Sequence, residues 1–288
     1  MLKQRIITAL LLAPLAIAAI FYMSLENFSI FIMAVMAIGA WEWGPLMGFE
    51  NKRRRIAFVL TTIILITSIW YYFPLMSFWN DQAQLQSTIQ LILWIAVGWW
   101  LVSAALTFLY PRCSSFWSSH RSIRGVFGWL TLVPTWLAFV VLRSNDYAED
   151  PYQGAQLIMF LFLMVWSADV GAYFVGKSIG KHKLMPNVSP GKTMEGFVGG
   201  VIFACILVAL AGMSLDWNQQ QFILVIGVTV VITTISVLGD LNESMFKRQA
   251  GIKDSGTILP GHGGILDRID SLTATAPIYA LCYAYLGW

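Results

Sequence analysis

Long apolar runs alternate with short polar segments along the whole chain. Nine of these runs approach the roughly 20 residues that an α-helix needs to cross the core of a bilayer. The pattern predicts an all-α polytopic membrane protein with nine transmembrane helices, at about 6–23, 28–47, 56–73, 88–109, 123–142, 155–176, 196–213, 221–239 and 271–288. The composition agrees, because 58% of the 288 residues are hydrophobic and 11% are charged, against about 25% charged in soluble domains.

The positive charges indicate an orientation for these helices. Membrane proteins keep an excess of Lys and Arg in their short cytoplasmic loops. With the N-terminus inside, all but one of the 18 Lys and Arg residues fall on the inner side, and Arg143 falls outside. We therefore expect a cytoplasmic N-terminus and a C-terminus on the outer face. Lys3 and Arg5 would also suit a signal peptide, but the first run continues through Met23, which favours a retained anchor.

The division of the chain follows from where its polar residues lie. Residues 1–110 are predicted to be scaffold helices, and residues 111–288 a catalytic region with cytoplasmic loops 177–195 and 240–270, all within one integral membrane unit. The basic residues lie in separate loops rather than in one stripe, which argues against nucleic-acid binding. The 3 cysteines are scattered and indicate neither a metal site nor a disulfide framework.

The stretch from Asp240 to Asp270 is the most polar part of the chain. It contains carboxylates, Lys and Arg side chains, a histidine and several glycines. Carboxylates suit hard cations such as Mg²⁺, Lys and Arg suit phosphate oxygens, and glycines let backbone N–H groups approach an anion. We interpret the stretch as a metal-assisted phosphate site, with a solvated loop between two helices as the alternative. If residues 267–271 are helical, Asp267 and Asp270 share a face.

Two other polar positions are predicted to converge on the same side. Asp169 lies seven residues before Gly176, about 10 Å below the inner end of its helix, where a carboxylate needs a partner, a proton or a metal. Its alternative role is a structural hydrogen bond. The segment from Ser189 to Thr193 is not a P-loop, because Pro186 stands where the motif needs glycine. We read it as a tight turn that binds phosphate at a helix N-terminus, caps that helix, or does both.

Glu42 is an ionisable residue at membrane depth between two tryptophans. Such residues are costly and often functional. Here the carboxylate could instead reach the interface or pair with one of the arginines at 53–55, and both readings stay open. That basic cluster beside a helix is typical of topology signals and of contact with anionic lipid headgroups.

The spacing of the polar residues resembles a family signature. The pattern is Ser-x-Phe-Lys-Arg from Ser244, Lys-Asp-x-Gly from Lys253, Leu-Pro-x-His-Gly-Gly from Leu259 and Asp-Arg-x-Asp from Asp267. It looks like the signature of the phosphatidate cytidylyltransferases, also called CDP-diacylglycerol synthases. The Ser-Pro-Gly-Lys-Thr segment, the Ala-Asp of the sixth run and the Leu-Gly-Asp at Asp240 are similar to the bacterial members. The resemblance covers essentially the whole chain.

The resemblance implies transfer of the cytidylyl group of CTP to phosphatidic acid, which gives CDP-diacylglycerol and pyrophosphate in phospholipid biosynthesis. It also implies an all-helical homodimer in the bacterial cytoplasmic membrane, with a metal site at the cytoplasmic side. Mg²⁺ is the expected cofactor, and the family suggests a second cation, K⁺, nearby. CTP, phosphatidic acid and membrane lipids are the expected partners.

Roles follow for individual residues as hypotheses. Asp240 and Asp267 are expected to hold Mg²⁺, with Asp169 and Asp270 as further ligands or supporting groups. The cationic side chains are expected to bind the phosphates of CTP and lipid: Lys192, Lys247, Arg248, Lys253 and Arg268. Neutral donors are expected from Ser189, Thr193, Gly263 and Gly264, and His262 is expected to orient a phosphate.

Three other functions agree less well with the sequence. A transporter would use the membrane carboxylates as a relay, but corresponding broken helices in two halves are not evident. A CDP-alcohol phosphotransferase would carry its own Asp-Gly-x-x-Ala-Arg motif, which the chain lacks. A structural scaffold would leave the charged loops without an explanation.

Overall fold

A computed structural model describes residues 2–80, 82–215, 217–259, 261 and 263–288, with side chains from residue 10 onward. The chain folds into α-helices and one small hairpin. The helices are α1 Leu2–Tyr22, α2 Leu25–Leu46, α3 Lys52–Tyr72, α4 Ser87–Leu109, α5 Ser114–Ser118, α6 Arg121–Ser144, α7 Gln153–Ile179, α8 Met194–Ser214, α9 Gln219–Gln249 and α10 Leu266–Leu286. The hairpin pairs β1 Lys183–Met185 with β2 Ser189–Thr193, and a 3-10 helix covers Leu75–Ser77.

Every predicted span coincides with a long helix, which confirms the all-helical fold. Seven helices within the described ranges are long and apolar enough to cross a membrane: α2, α3, α4, α6, α7, α8 and α9. Helix α1 offers the shorter apolar stretch Leu10–Tyr22. The number of crossings and their orientation therefore stay predictions, and so does the division at residue 110.

Helix α6 is the centre of the helix packing. Its second half, from Thr131 to Ser144, is almost entirely buried. It packs against α2, α3, α4, α7 and α10, and polar groups join these helices inside the apolar core. Trp136 Nε1 donates to Ser29 O on α2 at 3.0 Å, and Thr135 Oγ1 donates to Thr273 O on α10 at 3.2 Å. These bonds satisfy polar atoms that would otherwise be unpaired in an apolar medium.

The sequence predicts Arg143 in an outer loop. In the structure it lies in the last turn of α6. It is 1% exposed and donates to the carbonyl oxygens of Ile20, Met23 and Pro151. Backbone carbonyls at a helix end lack intrahelical donors. The guanidinium therefore joins the end of α1 to the segment before α7.

Helices α7 and α8 pack closely, because glycines remove side chains from their interface. A Cβ atom at Gly196 would lie 2.9 Å from Ala172 O, and one at Gly200 would overlap Ala168 O. Close contact of this kind is typical of small residues between membrane helices. It places the α7 carboxylate Asp169 beside the start of α8.

Helix α9 is longer than predicted and extends ten residues past the expected end at 239. The segment after Asp240 was therefore wrongly read as loop. Its polar residues form pairs four apart: Ser244 Oγ donates to Asp240 Oδ1 at 3.2 Å, and Lys247 Nζ contacts Glu243 Oε2 at 3.1 Å. Such pairs stabilise a helix. The helix ends at Gln249, and two residues later Gly251 has a φ of +71°, which suits glycine after a helix C-terminus.

Candidate active site

A polar cavity lies between α7, α8, α9 and the hairpin, with a volume of about 410 Å³. Asp169 lines it from α7, Asp240 from α9, and Lys192 and Thr193 from β2. These residues were predicted to converge from three separate segments. The structure brings them together.

The Lys192 ammonium is bonded directly to a carboxylate in this cavity. Its Nζ lies 2.7 Å from Asp240 Oδ2, and the two side chains are 26% and 34% exposed. Asp169 is within electrostatic range of Lys192, Asp240 and Arg268. Two carboxylates and the Lys192 ammonium therefore lie together in the cavity, with the Arg268 guanidinium within electrostatic range of Asp169.

The hairpin that carries Lys192 differs from the tight turn predicted for residues 189–193. These residues form strand β2, antiparallel to β1, with Lys183 opposite Thr193 and Met185 opposite Ser189. The capping prediction is confirmed, because Thr193 Oγ1 accepts the N–H of Gly196 at 3.1 Å in the first turn of α8. The strand holds Lys192 beside the α8 N-terminus, a place that favours anions.

Arg248 and Glu195 attach the hairpin to the helices around it. Arg248 Nε donates to Val188 O at 3.2 Å, which joins the end of α9 to the hairpin turn. Glu195 accepts the N–H of Lys181 at 3.0 Å and contacts His182 Nδ1 at 2.6 Å. The hairpin is therefore held on both sides.

A second, buried charge cluster joins α9 to α10. Lys247 Nζ lies 2.6 Å from Asp267 Oδ1 and 3.1 Å from Glu243 Oε2. Asp267 Oδ2 accepts the N–H of Ser255 at 2.9 Å, its hydroxyl at 2.9 Å and the N–H of Gly264 at 2.7 Å. Residues 267–271 are helical, because α10 begins five residues before the predicted span at 271, so the condition for a shared face of Asp267 and Asp270 is met. Asp270 lies one turn beyond Asp267 and within electrostatic range of Asp240 and Glu243.

The α9–α10 loop, residues 250–265, contains the remaining predicted groups. Lys253 is exposed. Gly263 has a φ of +81°, and a Cβ there would lie 2.6 Å from Asp267 Oδ2. Both the backbone conformation and the close contact therefore favour glycine at this position. His262 lies outside the described residues.

The carboxylates of this region are the candidate ligands for Mg²⁺. Within the described ranges, no group of three or more His, Cys, Asp or Glu side chains has an arrangement that could hold a metal ion. Mg²⁺ usually binds one or two carboxylates and takes its other ligands from water and substrate phosphates. The pair of Asp169 and Asp240 fits that requirement. Asp240 accepts Lys192 on Oδ2 and Ser244 on Oδ1, and Asp267 also carries protein donors on both oxygens. The metal roles of all four aspartates, Asp169 and Asp270 included, therefore stay predictions.

Two residues of this region were not assigned from the sequence. Glu243 was not singled out, although its spacing of four from Lys247 is a recognisable helical pair. For Glu42 the sequence leaves open a functional role, a position at the interface and pairing with an arginine. In the structure its carboxylate accepts the N–H of Ile265 at 3.1 Å and of Leu266 at 2.7 Å.

Comparison with known proteins identifies the family. Residues 3–286 match the family model described as "Cytidylyltransferase family". The chain belongs to the cytidylyltransferase family. It is similar over its full length to the Phosphatidate cytidylyltransferase of Pseudomonas aeruginosa. The two sequences are 40% identical over 288 residues, which cover 100% of this chain and 99% of the relative.

Two further relatives of this cytidylyltransferase-family chain carry the same name. The Haemophilus influenzae protein is 39% identical over 295 residues, covering 99% of this chain and 100% of the relative. A Staphylococcus aureus protein is 48% identical over 143 residues, which cover 49% of this chain and 54% of the relative. The likeness therefore spans both the helices and the polar cavity.

Proposed function

We propose that this multi-pass membrane protein transfers the cytidylyl group of CTP to phosphatidic acid, giving CDP-diacylglycerol and pyrophosphate. The full-length likeness to two proteins named Phosphatidate cytidylyltransferase carries the assignment. The polar cavity supports it, because carboxylates and ammonium groups lie together where apolar helices end. Such a place is accessible both to a water-soluble nucleotide and to a lipid headgroup.

The reaction needs little help with protons. An oxygen of the lipid phosphate forms a bond to the α-phosphorus of CTP, and the bond from that phosphorus to the bridging oxygen of the β-phosphate breaks. The leaving pyrophosphate takes the electron pair. The attacking phosphate is already anionic at neutral pH, so the main barrier is the approach of two anions. Charge stabilisation and alignment are the contributions that the protein must make.

The residues of the cavity supply these contributions. Lys192, beside the α8 N-terminus, binds phosphate oxygens when it leaves Asp240, and Arg268 adds positive charge near Asp169. Asp169 and Asp240 would hold Mg²⁺, which neutralises charge on the triphosphate when it is bound. Thr193 fixes the start of α8 and with it the position of β2.

Further parts of the proposal concern surroundings and assembly. The bias of positive charge supports a cytoplasmic N-terminus, and a bacterial cytoplasmic membrane rests on the family resemblance. A homodimer, and a second cation such as K⁺ beside Mg²⁺, rest on the family resemblance. Light scattering in detergent and the dependence of activity on K⁺ test these two parts separately.

The direct test uses purified protein, CTP, phosphatidic acid and Mg²⁺. We expect CDP-diacylglycerol and pyrophosphate in equal amounts, identified by mass spectrometry. The same protein in sealed vesicles should move no solute. The assignment would be overturned if a folded, monodisperse preparation made no CDP-diacylglycerol. It would also be overturned if the protein transported a solute and made no CDP-diacylglycerol.

A further inference from the structure

A buried carboxylate from the predicted scaffold half reaches the α9–α10 loop. Glu42 lies near the end of α2 and is 1% exposed. Its Oε2 accepts the N–H of Leu266 at 2.7 Å, and its Oε1 accepts the N–H of Ile265 at 3.1 Å. Ser255 Oγ lies 3.5 Å from Oε2. One side chain therefore contacts two points on the loop that are ten residues apart.

These contacts satisfy groups that a helix leaves unpaired. The first N–H groups of a helix have no intrahelical acceptor, and a negative charge near them is favourable. Ile265 is the residue before α10, and Leu266 is its first residue. The nearby Arg55 instead donates from Nε and Nη2 to Trp41 O, at 3.1 and 2.8 Å. Arg55 is within electrostatic range of Glu42, but the hydrogen bonds of the carboxylate go to the start of a helix more than 220 residues away, which Glu42 caps.

The loop has two glycines where it passes the carboxylate. A Cβ atom at Gly256 would overlap Glu42, and one at Gly264 would overlap Glu42 and Ser255. Close approach of the backbone to a buried anion is a recognised use of glycine. The two glycines therefore leave the space beside the loop backbone that the Glu42 carboxylate occupies.

We propose that Glu42 is a positioning residue for the cytidylyl transfer, which acts by fixing the α9–α10 loop and the first turn of α10. This inference rests on the proposed function. The first turn of α10 carries Asp267, which contacts Lys247, and Arg268, which is within electrostatic range of the cavity residue Asp169. When the cap is lost, the first turn of α10 loosens, and Arg268 and the loop donors no longer meet the phosphates in one arrangement.

Glu42→Gln tests this role with little change in volume. The amide retains one acceptor but turns an NH₂ group toward a backbone N–H, so one of the two helix N–H groups loses its partner. Glu26→Gln is the matched control, because Glu26 is an exposed glutamate in the first turn of the same helix. We expect kcat/KM for CTP to fall about tenfold or more in Glu42→Gln, as for loss of a hydrogen bond to a charged group, and to stay at the wild-type value in the control.

Hydrogen exchange, resolved to single amides, separates positioning from general stability. In Glu42→Gln, the amides of the α9–α10 loop and of Ile265 and Leu266 should exchange faster, while those of α6 stay protected. A purely structural role would instead lower the unfolding temperature and speed exchange across α2, α6 and α10, with kcat/KM of the folded fraction unchanged. That pattern would overturn the proposal, as would unchanged exchange in the loop.

Hydrogen exchange of the wild-type protein tests the cap even if Glu42→Gln does not fold. The amides of Ile265 and Leu266 should exchange far more slowly than that of the exposed Lys253. Exchange as fast as that of Lys253 would refute the cap. If wild-type protein makes no CDP-diacylglycerol, the proposed function fails, whereas the exchange measurement still decides whether Glu42 holds the loop.

Discussion

Lys247→Met is the substitution that best separates a buried cross-link from a phosphate-binding lysine. Lys247 contacts Asp267 at 2.6 Å and Glu243 at 3.1 Å, and the three side chains are 10%, 7% and 4% exposed. Methionine would fill most of the volume but leave two buried carboxylates without their cation. Breaking a buried ion pair by removing one partner costs about 3–5 kcal/mol.

The expected loss of stability is large enough to measure. At about 1.7 °C per kcal/mol for a chain of this size, the midpoint of thermal unfolding in detergent should fall by about 5–8 °C. Adding Glu243→Gln should recover a substantial part of the loss, because it removes one of the uncompensated charges. Lys253→Met, a change of the exposed lysine in the α9–α10 loop, should leave the midpoint unchanged.

The opposite result would refute this reasoning. If Lys247→Met unfolds within about 2 °C of wild type but makes no CDP-diacylglycerol, the ammonium acts on substrate phosphate and the ion pairs are incidental. If stability and activity fall together and both respond to the second substitution, the lysine is a cross-link between α9 and α10.

Three other predictions test different parts of the site. Asp169→Asn and Asp240→Asn should each slow label transfer from CTP into lipid by about 100-fold or more with little change in unfolding, and near wild-type rates in both would contradict their assignment to Mg²⁺. Thr193→Val should lower the free energy of unfolding by about 1 kcal/mol through loss of the α8 cap, seen as a lower midpoint in denaturant. Gly264→Ala should reduce stability and activity because its Cβ meets Glu42 and Ser255, whereas Gly227→Ala, with no atom within 4 Å of the added Cβ, should not.

The helices were predictable because their signal is local. A run of about 20 apolar residues has few alternatives to a helix in a membrane, and each predicted span coincides with one. The capping role of Thr193 follows from an equally short pattern and is confirmed.

The features that escaped prediction depend on pairings between residues that composition alone does not show. The segment from Asp240 to Gln249 reads as loop by composition, but it stays helical because its polar side chains pair with one another and with α10. Strand β2 contains proline and glycine, which resemble a turn, and it forms only because β1 lies alongside. The partners of Glu42 are 223 and 224 residues away, a distance that no local pattern reports.

The central claim is that the cavity between α7, α8 and α9 joins CTP to a lipid phosphate. Parallel reactions with CTP labelled at the α- or the γ-phosphorus test it most directly, using wild-type protein and Lys192→Met in phosphatidic acid vesicles with Mg²⁺. We predict that the α-label enters the lipid extract and the γ-label appears in pyrophosphate, and that both transfers collapse in the variant. The account would be contradicted if the γ-label entered the lipid extract. It would also be contradicted if folded wild-type protein transferred no α-label to the lipid extract.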